Sequence, residues 1–62
     1  MARIKLKNVE HIINVAQTYD QIIGTLNERQ DLVSISCDEV VMKGIPTTRI
    51  CIVISEIVFI RE

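Results

Sequence analysis

Sixty-two residues with a net charge of −1, two cysteines, one histidine and two aromatics (Tyr19 and Phe59) leave little room for chemistry. The length allows one domain, 1–62, of a size that buries only about 60% of its unfolded surface and draws added stability from disulfides, a metal or oligomerisation. The near-zero charge sets up no global field toward nucleic acid or an anionic membrane, and no apolar run approaches the roughly eighteen residues of a membrane span.

β-Branched aliphatics dominate the apolar set, with twelve isoleucines and seven valines, and their stiff side chains favour strands. Arg3-Ile4-Lys5-Leu6-Lys7 alternates strictly. It predicts a half-buried strand with a basic outer row. His11 to Ala16 predicts a second strand that completes a hairpin. Thr18-Tyr19-Asp20-Gln21 then matches a capping box, with Asp20 complementing the helix dipole. Tyr19, Ile22, Ile23 and Leu26 follow at helical spacing, which predicts a helix over about 19–29. A competing pattern exists: Val9, Ile12, Ala16, Tyr19, Ile23 and Leu26 also fit a heptad series. That series would make one long helix from Asn8 to Arg29, but it is shorter than a coiled coil wants.

Leu32 to Cys37 is strand-like, leads to polar Asp38-Glu39, and resumes with Val40-Val41-Met42, as one bent strand or two short ones. Lys43 to Thr48 contains Gly44 and Pro46 and predicts a loop. From Arg49 to Arg61 one parity carries Ile50, Ile52, Ile54, Val58 and Ile60, and the other carries Cys51, Val53, Ile57 and Phe59. Both faces are apolar, the signature of a covered, central strand. Ser55-Glu56 divides the segment into strands of about 49–55 and 57–61.

Metal and disulfide are poor sources of extra stability here. Zinc sites take about four ligands, usually in close pairs, whereas Cys37, Cys51 and His11 stand apart. Met1-Ala2-Arg3 runs straight into the first strand pattern with no signal peptide, so the expected compartment is the cytoplasm, where thiols stay reduced. No cofactor is expected: G-x-S-x-G, P-loop, G-x-G-x-x-G and H-E-x-x-H patterns are all missing. His11 reads as a strand-rim residue, Cys37 and Cys51 as small hydrophobes, and adjacent Asp38 and Glu39 as turn residues facing opposite ways. No catalytic residue is assigned.

The strand–helix rhythm, carried by Arg3 to Leu6, Ile13-Asn14-Val15, Thr18 to Ile23, Leu32 to Ile35 and Ser55 to Ile60, resembles short β-β-α-β-β proteins of phages, prophages and Gram-positive bacteria. The resemblance implies an accessory or inhibitory binding role and carries over no site residue.

The expected fold is α+β, a mainly antiparallel sheet of four or five strands with one helix in ββαββ order. A small SH3-like barrel with an inserted helix is the alternative. The expected function is a non-enzymatic protein-interaction module that forms homo-oligomers and contacts a host or phage protein. Its interface is expected among Ile50, Ile52, Ile54, Val58 and Ile60, or in the opposite row with Val53 and Phe59, because one helix covers one sheet face only. A second function is nucleic-acid binding through Arg3, Lys5 and Lys7, with Lys43, Arg49 or Arg61 joining the row; scarce aromatics weigh against it.

Overall fold

A computed structural model describes all 62 residues. The elements in order are β1 (Ala2–Leu6), β2 (Ile13–Val15), α1 (Tyr19–Glu28), β3 (Ser34–Glu39), β4 (Thr48–Val53), a 3-10 turn (Ile54–Glu56) and β5 (Ile57–Arg61). The five strands form one antiparallel sheet in the order β4-β3-β2-β1-β5. This is the α+β architecture that the alternation and the capping box predict, with a fifth strand. No register joins β4 to β5, so the sheet is open rather than closed into a barrel.

The capping box sets the helix start. Gln21 N–H donates to Thr18 Oγ1 at 3.2 Å, and Thr18 N–H donates to Gln21 Oε1 at 2.9 Å. Thr18 itself is extended, with φ −82° and ψ 161°. That conformation rules out the long helix from Asn8, and Ile13–Val15 pairs instead with β1, Ala2 opposite Val15 and Ile4 opposite Ile13. Burial of Ile22, with Leu26 against the same core, holds α1 on one sheet face.

The core comprises Ala2, Ile4, Ile13, Val15, Ile22, Ile35, Cys37 and Ile52, with Leu6, Leu26, Leu32, Ile50, Ile54, Ile57 and Ile60 packed around it. Each fully buried aliphatic side chain contributes on the order of 1.5–3 kcal/mol. With eight buried residues, the chain has few such contributions to set against its conformational entropy.

The connection from β4 to β5 dictates the sheet's shape. These strands occupy opposite edges, which in a flat five-stranded sheet lie about 19 Å apart. Four Cα steps from Val53 to Ile57 span at most about 14 Å. The sheet therefore coils until a three-residue turn reaches across. Backbone bonds pin that turn at both ends: Ile54 N–H donates to Val33 C=O at 2.9 Å, and Lys7 N–H donates to Glu56 C=O at 2.9 Å.

Several boundaries differ from the sequence expectation. The second strand is shorter, since His11 and Ile12 precede it. The third continues through Asp38 and Glu39, because Asp38 faces Arg49 and Glu39 faces Thr48 across the ladder. Val40 to Met42 is not a strand but opens the loop that turns at Gly44, whose φ of 87° suits a residue without Cβ.

Candidate functional site

The C-terminal segment is not a central strand, and neither predicted parity row survives as one surface. The 3-10 turn resets the parity at Ile54–Glu56. A bulge between Lys5 and Leu6 then leaves Val58 without a register partner, since Lys5 faces Phe59 and Leu6 faces Ile57. Ile50, Ile52, Ile54, Ile57 and Ile60 all turn to the core. Ile52 is 2% exposed and so cannot serve as an interface residue in the folded chain. Cys51, Val53, Val58 and Phe59 are left outside. The sheet's inner face thus absorbs most of the apolar surplus that pointed to a partner.

The two sheet edges differ. Because Ile54 N–H bonds to Val33 C=O, the β3–β4 ladder has a fixed phase. Thr48, Ile50 and Ile52 turn their backbone groups toward β3, and Arg49, Cys51 and Val53 turn theirs outward. The β4 register runs unbroken from Ser34–Val53 to Glu39–Thr48. The β5 edge is interrupted by the Val58 bulge and ends at Arg61.

The outer face, read from the registers, carries Phe59 and Arg61 on β5, Arg3 and Lys5 on β1, Asn14 on β2, Ser34, Ser36 and Asp38 on β3, and Arg49, Cys51 and Val53 on β4. Arg3 and Arg61 are register partners. The Arg61 guanidinium lies over the Phe59 ring, 5.7 Å from its centroid. Lys5 Nζ donates to the carbonyls of Leu6 and Val9, so its head group is held at the strand end. Lys7 is exposed beyond the strand. Arg49 bridges Asp38 at 3.4 Å, and Lys43 lies in the β3–β4 loop. Sequence reading found Arg3 and Lys5 and left Arg61 as one of three cations that could join them; it did not place Phe59 there, because both pairings depend on which strand β1 chooses as its second neighbour.

The two thiols are free and point to opposite sides of the sheet. Burial pushes the Cys37 thiol pKa above its ordinary value, with Asp38 and then Cys51 adding smaller repulsions. Beside Cys37, the Gln17 amide acts as a short stand-in for a strand. Its Nε2 donates to Asp38 Oδ2 at 2.9 Å, and its Oε1 accepts from Asp38 N–H at 3.0 Å. Past this clip β2 and β3 part, and a groove of about 340 Å³ opens between α1 and β3, lined by Gln21, Ile22, Arg29, Leu32, Ile35 and others.

Taken together, these features define an open antiparallel α+β domain with one unguarded sheet edge and a basic outer face. Comparison with protein-family models, curated proteins and solved structures finds no match. No helix is long and apolar enough to cross a membrane.

Proposed function

We propose that this chain acts by contact, as a non-enzymatic interaction module that pairs with a second copy along β4. The observation that carries this reading is the β4 edge. It is six residues long and free of bulges, it exposes the backbone groups of Arg49, Cys51 and Val53, and its outward side chains include apolar Cys51 and Val53. An edge of this kind templates a further strand, and natural sheets guard against it with bulges and charges. The β5 edge carries such a bulge; β4 carries only Arg49, which Asp38 engages.

The edge is also self-complementary in one register. An antiparallel pair centred on Cys51 sets Arg49 of each copy opposite Val53 of the other. Centring on Arg49 would oppose two guanidiniums, and centring on Val53 would run into the 3-10 turn. Within this reading the chain is an accessory or inhibitory binding protein of the cytoplasm, the role that its resemblance to phage and prophage proteins implies.

Sedimentation at low micromolar concentration tests it, with a dimer as the expected result. Cys51→Glu opposes two carboxylates at the seam and is expected to give monomers, whereas Val58→Glu on the other edge leaves the dimer intact. Cys51 supplies a second readout. Hydrogen-bonded antiparallel partners lie about 5.5 Å apart at Cα, inside the disulfide range, so diamide should link two copies through Cys51. A wild-type monomer under these conditions overturns the reading; a dimer insensitive to Cys51→Glu overturns the seam alone.

A further inference from the structure

The net charge of −1 conceals a division that only the registers reveal. The outer face holds four cations, Arg3, Lys5, Arg49 and Arg61, and one carboxylate, Asp38. The remainder of the chain holds three cations and seven carboxylates. Since Asp38 is engaged by Arg49, no carboxylate on this face bridges Arg3, Lys5 or Arg61. A cleft-free basic face of this kind still sets up a local potential that the total charge hides.

Arg3 and Arg61 sharpen the point. They are direct cross-strand partners on an exposed face, and like charges so placed destabilise a sheet. The fold keeps this repulsion although Glu62 follows Arg61 immediately in the chain. An anion seated between the two guanidiniums would relieve it. Beside them Phe59, 39% exposed, presents a ring already touched by a guanidinium. Adjacent guanidiniums and an aromatic face fit a phosphate followed by an unpaired base: the phosphate takes charge-assisted hydrogen bonds and the base stacks. A duplex hides its base faces, and an acidic peptide leaves Phe59 without a role.

We propose that the β1–β5 outer face binds single-stranded nucleic acid, with a backbone phosphate on Arg3 and Arg61 and a base stacked on Phe59. Lys5 adds to the field from the strand end but not through a free head group. The site lies at the edge opposite β4 and does not depend on self-association.

Anisotropy titration of a labelled single-stranded oligonucleotide with the full chain, at low and moderate salt, tests the proposal. Binding is expected to weaken with salt with a shallow log–log slope of about −0.7, the value for one neutralised phosphate on a single strand. Phe59→Leu should cost about tenfold in affinity, and Arg3→Gln with Arg61→Gln should remove measurable binding while the thermal melt stays intact. Arg49→Gln should leave affinity within about twofold, since that side chain is paired with Asp38. Absence of salt-sensitive binding overturns the proposal. So does equal affinity for duplex or for polyglutamate, or indifference to Phe59→Leu. Running the titration on Cys51→Glu as well separates this site from the β4 seam.

Discussion

β4 and β5 come from one continuous apolar segment, Thr48 to Arg61, yet they form edges of opposite character. β4 keeps register with β3 through every residue from Thr48 to Val53 and offers an unbroken rim. β5 loses register with β1 after Phe59–Lys5, extrudes Val58, and ends in Arg61 beside Arg3. Composition does not distinguish them. What separates the two is a single unmatched residue and the identity of the neighbouring strand. A bulge guards one rim; the absence of a bulge exposes the other.

The largest expected effect contrasts the inward and outward positions of the two strands. Ile52→Ala empties a site 2% exposed and should cost about 2–5 kcal/mol. A domain of this size holds only about 3–5 kcal/mol in all, so far-ultraviolet circular dichroism should show the variant largely unfolded. Val58→Ala removes a side chain 57% exposed and should change stability by no more than about 0.5 kcal/mol. Equal losses would mean that the bulge at Val58 is absent in solution.

Next in size is the contrast between the two thiols, one from each side of the β3–β4 pair. Cys51 is exposed and should react with a disulfide reagent at once; buried Cys37 should react only through opening. The expected gap is about two to three orders of magnitude in rate, as an opening free energy of about 3–4 kcal/mol requires. Slower Cys51 labelling at higher protein concentration would report occlusion of the β4 rim.

A smaller effect follows from pH. The folded-state pKa of Cys37 is raised, chiefly by burial. Above the unfolded thiol's pKa of about 8.5, the unfolded chain loses a proton that the folded chain retains. Stability is therefore full below that pH and falls as pH rises from there toward the folded pKa. Urea titrations of a Cys51→Ser variant should show this alkaline decline, and Cys37→Ala should flatten it. A decline of the same slope in both variants would assign it to other groups.

These contrasts mark where sequence reading works. The helix was legible because Thr18, Gln21 and the Ile22–Leu26 stripe are local, all within little more than two helical turns. The division at Ser55-Glu56 was legible because two polar residues interrupt an apolar run, and the structure turns there. The face assignments after it were not legible. Parity carries through a strand, but a 3-10 turn advances the chain by a different angle, and the Lys5/Leu6 register shift moves it again. Ile57 and Ile60, of opposite parity, consequently both meet the core. The basic face was half legible for the same reason: Arg3 and Lys5 share one strand, while Arg61 reaches them through a long-range pairing.

The smallest predicted effect tests that pairing directly. Arg3 and Arg61 oppose each other on the outer face, and directly opposed like charges cost roughly 0.2–1 kcal/mol. Arg61→Gln should therefore raise the stability of the free chain by a few tenths of a kcal/mol at low salt, the reverse of what most substitutions do. The gain should shrink as salt rises, because both guanidiniums are exposed and their repulsion is screened within about 10 Å at 0.1 M. Arg49→Gln at the other edge removes an exposed bridge to Asp38 at 3.4 Å and should be neutral or slightly destabilising. Opposite signs for two arginine substitutions on one face follow from register alone, since the residues are chemically identical. A destabilising Arg61→Gln would place the Arg61–Phe59 contact above the Arg3 repulsion, and β5 would then be an edge held by its arginine instead of strained by it.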